Sequence, residues 1–306
     1  MDGWGGCSTA LAFRMKLAFA PLLLLGLATY AWIAPVSVLN AAAWSGDWRV
    51  THDISYMPGA RGRLDVYAPA GAKDAPVVVF FYGGSWQDGD KAMYRFVGAA
   101  LAARGIVAVI PDYRVYPAVR FPVFLQDGAR AVAWSRNNAG RFGGDPDRLV
   151  LMGHSAGAYI AAMLALNPAY LAAVGLDPHR DISGFIGLAG PYDFLPLRER
   201  VIKVIFGPPD ELARTQPINF VTPGAPPAFL AAGLRDTTVE PQNSMRLAAR
   251  LRAAGDDVRE RYYPRLDHRL IIGAIAPPLG FLAPVLPDCL AFIHAVTAVQ
   301  PFRSAA

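Results

Sequence analysis

One stretch constrains this chain more than any other. Val150-Leu151-Met152 runs into Gly153-His154-Ser155-Ala156-Gly157, and a small-residue apolar run from Ala156 to Leu166 follows. Such a sequence reads as a buried strand, a one-residue turn and a helix. The turn forces Ser155 into a sparsely populated backbone conformation that holds its hydroxyl clear of the strand end. A Cβ at Gly153 or Gly157 would collide with the neighbouring strand or helix, so glycine is required at both. The first turn of the helix has amides without helical acceptors, that of Ala156 first among them, and carries positive potential where an oxyanion would form. Ser155 is therefore the candidate nucleophile. The alternative is a chance Gly-x-Ser-x-Gly in a chain with 29 glycines, and the flanking strand and helix argue against it.

The segments before it read as strands and helices in alternation. Trp48 to Ser55 and Arg63 to Ala68 are strand candidates, with Pro58 and Gly59 in the turn between them. Pro76 introduces Val77-Val78-Val79-Phe80-Phe81, a continuous apolar run suited to a strand buried on both faces. It ends in Tyr82-Gly83-Gly84-Ser85-Trp86, where glycines let backbone amides approach a ligand. A plain Gly-Gly turn would look the same, but paired with the later Ser155 turn this loop is where a second oxyanion donor belongs. Gly83, Gly84 and Ala156 are the candidate oxyanion residues. Tyr94 to Arg104 reads as a helix, Ile106 to Ile110 as a strand, and Val123 to Asn138 as a helix. Each such alternation implies a right-handed crossover and a parallel sheet.

Beyond the Ser155 helix, Ile182 to Leu188, Ala228 to Gly233 and Val258 to Tyr263 are further strands. Pro241 to Ala254 and Asp288 to Val296 are helices. Residues 191–227 are irregular and proline-rich; the segment reads either as a cap over the site or as a plain surface connection. Asp236 follows one strand and His268 another, so the order along the chain is serine, acid, histidine, each just beyond a strand's carboxyl end. His268 would take the Ser155 proton as the serine attacks a carbonyl, and Asp236 would hold the imidazole in the right tautomer. Asp193 is the rival acid and Glu240 a third candidate. Asp267, next to His268 in sequence, is poorly placed to bond its ring. His52, His154, His179 and His294 read as structural.

The remaining composition narrows the field. The net charge is +5, but the arginines are dispersed, so no nucleic-acid partner is expected. Cys7 and Cys289 lie at opposite ends and are not expected to pair; no metal-ligand spacing is present. Between Lys16 and Asp47 there is no charged residue, and Leu17 to Val38 is almost wholly apolar. About 20 helical residues would span a bilayer core. Arg14 and Lys16 precede the run and would keep the N-terminus cytoplasmic. Residues 1–43 thus read as an N-terminal hydrophobic helix for export or membrane anchoring. The other reading is a cleaved signal peptide with Ala41-Ala42-Ala43 as the cleavage region. Residues 44–306 would form the catalytic domain, outside the cytoplasm in either case. The apolar stretch Leu270 to Leu286 could line an acyl pocket, dip towards a membrane or simply pack beside His268. Oligomeric state is not specified.

Taken together, Tyr82-Gly83-Gly84-Ser85-Trp86, Asp112-Tyr113-Arg114, Gly143-Gly144-Asp145-Pro146, Gly153-His154-Ser155-Ala156-Gly157, Gly233 with Asp236, and His268 resemble the α/β-hydrolase superfamily. Within it they are similar to the carboxylesterase group related to hormone-sensitive lipase and to bacterial feruloyl-esterase-like enzymes. The resemblance covers roughly Trp48 to Val299. It implies a mostly parallel central sheet flanked by helices, a Ser155–Asp236–His268 triad, a small-molecule ester substrate, and neither metal nor organic cofactor. Arylformamidase-like amide hydrolysis shares the motif set, and a non-catalytic tethered binding protein is the alternative from another class. One position departs: members of the group usually carry His where Tyr82 stands, which puts the support of the oxyanion loop in question.

Overall fold

Strands that are apolar at every position occupy the middle of the sheet. In the computed structural model, which describes residues 46–298 together with Ser37, Leu39 and Asn40, β3 (Ala75–Phe81), β4 (Val107–Pro111), β6 (Gly184–Leu188) and β7 (Ala228–Gly233) are buried along their whole length. β5 (Gly144–His154) is buried from Leu149 onward. Strands of this kind need cover on both faces, and helices supply it. The strands that alternate in burial, β1 (Trp48–Ser55) and β8 (Val258–Tyr263), lie at the two edges, where Arg259 and Arg261 expose charge that discourages further strand pairing.

The eight strands run in the order β1-β2-β4-β3-β5-β6-β7-β8, with β2 (Arg63–Pro69) antiparallel to both β1 and β4 and the other pairs parallel. The chain leaves β3 for β4 on one side and then crosses to β5 on the other. A crevice therefore opens at the carboxyl ends of β3 and β5, where connections diverge to opposite sides. This is the α/β-hydrolase fold expected from the resemblance.

The covering helices are α1 (Arg95–Ala102), α2 (Val123–Asn138), α3 (Ala156–Leu166), α4 (Arg200–Phe206), α5 (Gln242–Ala253), α6 (His268–Gly273) and α7 (Val285–Val296). α3 is buried on every side, as its unbroken apolar sequence requires. The expected helix over Tyr94 to Arg104 is instead a 3-10 turn, Lys91–Tyr94, followed by α1. The Asp90 side chain accepts from the Met93 amide and starts the turn early. α7 begins at Val285, ahead of the expected Asp288, with the Asp288 amide donating to Pro284. Residues 191–227 hold α4 and two 3-10 segments, Pro209–Thr215 and Pro217–Phe220. Phe206 of α4 is buried and meets Trp86 edge-on with ring centres 4.7 Å apart, so this insertion is packed onto the glycine loop.

Apart from Ser37, Leu39 and Asn40, the apolar N-terminal run and Cys7 lie outside the described residues. Among the described residues no helix is long and apolar enough to cross a membrane. Cys289 is buried without a disulfide, and burial raises its thiol well above the usual range.

Candidate active site

At the end of β5 the chain makes the expected sharp turn. Ser155 has φ 54° and ψ −123°, a strained conformation for any residue with a side chain. A Cβ on Gly153 would lie 2.2 Å from the Gly157 carbonyl carbon, and one on Gly157 would lie 1.9 Å from the Phe81 oxygen. The turn can therefore close only with glycine at both places. The Ser155 amide donates to Leu188 on β6 at 2.9 Å, which fixes the turn to the sheet.

Residues far apart in sequence meet here. The His268 ring lies at the start of α6, with Nε2 2.9 Å from Ser155 Oγ and Nδ1 2.7 Å from Asp236 Oδ2. Asp236, in the loop after β7, is buried, and its other oxygen accepts from the amides of Thr238 and Val239, both at 2.9 Å. A carboxylate held by two amides on one oxygen can present only the other to the imidazole, which orients the ring and selects the tautomer with hydrogen on Nδ1.

The rival acids are engaged elsewhere. Asp193 Oδ2 pairs with Arg246 Nε at 2.5 Å, and the backbone amides of Tyr192 and Asp193 are both pinned by Asn243 Oδ1 at 3.0 Å. Asp267 caps α6, accepting from the Arg269 and Leu270 amides. Glu240 lines the neighbouring cavity, and the His268 ring takes its carboxylate partner from Asp236. Of the other histidines, His52 bonds Asp65, His179 bonds the Gly224 carbonyl and His294 is exposed. His154 is more than packing: it is buried, its Nε2 lies 2.9 Å from the His268 carbonyl oxygen, and the two imidazoles are 4.9 Å apart between centres. Burial and the neighbouring imidazole lower its pKa to about 3.

The glycine loop lies against Ser155: a Cβ on Gly83 would come 3.0 Å from the Ser155 Cβ. Gly84 has φ +139°, and a Cβ there would strike the Asp88 carbonyl at 2.1 Å. Burial takes the Tyr94 phenol to about 12, an effect that the nearby Gly83 backbone opposes. Among the described residues, the amides of Gly83, Gly84 and Ser85 donate to no other backbone carbonyl. Close approach is the reason for glycine at 83, and this loop, with Ala156, presents N–H groups towards Ser155.

Tyr82 supports this loop from below. It is fully buried, stacked between Tyr113 and Tyr94 with centres 4.7 and 5.6 Å away. Its hydroxyl donates to Asp112 Oδ1 at 2.8 Å and accepts from Arg61 Nη2 at 2.8 Å. Arg61 also donates to the carbonyls of Tyr113 and Gly89, and the Lys91 amide donates to the same Asp112 oxygen. The backbone on both sides of the loop is therefore tied to one buried polar network. Burial holds the Tyr82 phenol well above its ordinary range, so it stays a neutral donor. Arg61 carries no motif of its own and is invisible to sequence reasoning.

A cavity of about 360 Å³ opens beside Ser155 and Ala156. Ser85 and Trp86 of the glycine loop, Phe194 and Ile202 of the insertion and Val239 contribute to its walls. Residues 191–202 are thus one side of the site, whereas nothing between Leu270 and Leu286 lines it.

Comparison with known proteins identifies the family. The BD-FAE family model matches residues 64–251, more than half of the chain. Esterase LipC of Mycobacterium tuberculosis is 33% identical over 198 residues, covering 59% of this chain and 49% of that protein. The isoprenylcysteine alpha-carbonyl methylesterase ICME of Arabidopsis thaliana is 36% identical over 181 residues, covering 57% and 42%. The chain spans about half the length of the curated relatives it matches. Among solved structures, apo Thermogutta terrifontis esterase 2 superposes with a TM-score of 0.68 at 25% identity, over 84% of this chain and 97% of the other. A tributyrin-phosphonate-inhibited esterase B from Lactobacillus rhamnosis gives 0.73 at 19% identity, over 90% and 96%, and at that identity speaks for the fold. The chain belongs to the BD-FAE family.

Proposed function

We propose that this protein hydrolyses carboxylic esters through an acyl-enzyme on Ser155. The observation that carries the reading is the continuous hydrogen-bonded line from Ser155 Oγ through His268 to Asp236, at 2.9 and 2.7 Å, beside free backbone amides. Ser155 attacks the ester carbonyl as His268 Nε2 takes its proton. The oxyanion accepts from Ala156 and from the amides of the Gly83-Gly84-Ser85 loop. His268 then returns the proton to the leaving alcohol, and a water repeats the sequence to release the acid. Asp236 stabilises the imidazolium. The esterase names of the relatives support the same reaction class. For residues 1–43 the proposal is an export or anchoring segment that places the catalytic domain outside the cytoplasm, supported by the uncharged run and the preceding Arg14 and Lys16.

The test is hydrolysis of p-nitrophenyl acetate and butyrate by the wild type and by Ser155→Ala, with a matched aryl amide in parallel. Ester turnover that falls by about 10⁶ at most and at least about 10³ in the variant is expected. Equal turnover by both proteins refutes the reading, and faster amide than ester cleavage transfers it to the arylformamidase-like alternative.

A further inference from the structure

The large apolar side chains that stand exposed among the described residues are Met93, Leu195, Leu234 and Phe281, the last at 80%. Singly exposed apolar residues are ordinary on a protein surface. Their distribution here is not. Met93 follows β3, Leu195 follows β6, Leu234 follows β7, and Phe281 lies on the connection from β8 to α7. Each is on a connection leaving the carboxyl end of a parallel strand, the edge at which Ser155 opens. The turns at the opposite edge expose Lys73, Asp74, Arg104, Arg141 and Asp257, and none of these large apolar side chains.

Two further observations say what the apolar edge faces. Arg235, Arg265 and Arg269 are exposed on the same loops as Leu234 and His268, and the Arg235 amide donates to the Leu266 carbonyl, which joins the β7 and β8 loops. Apolar side chains interleaved with arginines are the composition of a surface that rests on anionic lipid headgroups. Leu39 and Asn40, the described residues that follow the apolar run in sequence, also lie at this edge. Asn40 donates to the Ala92 carbonyl at 2.9 Å, and its oxygen accepts from the Phe96 amide at the start of α1. Leu39 Cδ1 lies 4.0 Å from where a Cβ of Gly273 would stand, at the end of the helix that begins with His268. Leu39 and Asn40, just past the uncharged stretch Leu17 to Val38 in sequence, therefore lie between the turn that follows the glycine loop and the helix that carries His268.

We infer that the active-site edge docks on the surface of an anionic bilayer, with the apolar N-terminal run inserted in the same bilayer and Phe281 and Leu234 dipping into its interface. Ester substrates would then reach Ser155 from the membrane surface, a consequence that rests on the proposed hydrolase reading. The docking itself does not.

The experiment uses the full chain reconstituted into phosphatidylcholine vesicles containing phosphatidylglycerol. Spin labels are placed singly at Phe281→Cys, Leu234→Cys and Lys73→Cys in a Cys7→Ser background, Cys289 being buried. Collision rates with oxygen and with a water-soluble nickel complex report depth. Oxygen-dominated relaxation at positions 281 and 234, with position 73 in water, is the expected result. All three labels in water, failure of the chain to float with the vesicles, or protection of position 281 that depends on protein concentration and not on lipid would overturn the inference. The last outcome would point to a second copy as the occupant. The label depths do not depend on turnover, so a failed ester assay and a failed docking test remain separate results.

Discussion

The buried imidazole of His154 donates from Nε2 to the main-chain carbonyl of His268 at 2.9 Å. A carbonyl oxygen only accepts, so Nε2 carries the hydrogen and Nδ1, which has no protein partner, carries the lone pair. The residue before the serine thus fixes the backbone of the residue that must take the serine's proton. Replacing His154 by Phe keeps a ring of similar size and removes the donor. The orphaned carbonyl should cost about 1–3 kcal/mol of stability. Displacement of the His268 ring should lower kcat by about 10- to 100-fold, with KM for a soluble p-nitrophenyl ester little changed. Steady-state kinetics alongside urea unfolding separates this from simple loss of packing, which would lower stability and leave kcat of the folded fraction intact.

The same histidine gives the protein an acid liability. In the folded chain its pKa is lowered from 6.5 to about 3 by burial, so the folded state refuses a proton that the unfolded state accepts. The unfolded chain binds more protons between these values. Stability from this group is therefore complete above 6.5 and is lost as the pH falls towards 3, at about 1.4 kcal/mol per pH unit at most. Urea midpoints measured from pH 7 down to pH 4 should fall more steeply for the wild type than for His154→Phe. Parallel curves would mean that His154 is not kept neutral by its site.

Much of this site could be read from residues, and what could not be read has a physical cause. The Ser155 turn was legible because its strand, glycines and helix each leave a local mark within one short window. Asp236 could be ranked above Asp193 only by position after a strand; the actual reason is that Asp193 is drawn off by Arg246, a contact between the insertion and α5. His154 read as packing because a hydrogen bond to a backbone carbonyl more than a hundred positions away has no sequence signature. The helix expected from Tyr94 is preceded by a 3-10 turn because the Asp90 side chain accepts from the Met93 amide, a cap that apolar periodicity does not reveal.

The competition between the two acids can be tested directly. Asp236→Asn keeps an oxygen for the Thr238 and Val239 amides and turns an NH₂ group towards His268 Nδ1, which then must accept. The imidazole hydrogen moves to Nε2, facing Ser155, and the ring can no longer take the serine's proton. The expected loss in kcat is about 10⁴-fold with the fold intact. Asp193→Asn breaks an ion pair with Arg246 that is partly open to solvent and should change kcat by less than about tenfold. Reversed magnitudes in a kcat comparison would move the acid's role to Asp193.

Tyr82 stands where the resemblance noted in the sequence implies His, and its hydroxyl joins Arg61 to Asp112 beneath the glycine loop. Tyr82→Phe preserves the stacking on Tyr113 and Tyr94 and deletes only that oxygen. Asp112 keeps the Lys91 amide but loses its phenolic donor, and Arg61 loses an acceptor while retaining the Tyr113 and Gly89 carbonyls. A half-buried carboxyl whose pKa is already raised by desolvation is left with less to stabilise its charge. The expected cost is about 1–3 kcal/mol in urea unfolding. If the network serves to hold Gly84 and Ser85 in place for the oxyanion, kcat should fall by about tenfold as well, because one misplaced donor can cost about 10²–10³. A variant that loses stability but keeps its full kcat would restrict Tyr82 to a structural role. Tyr82→His, with a ring nitrogen able to bond Asp112, should then recover part of the stability and show whether the two residue types solve the same problem at this position.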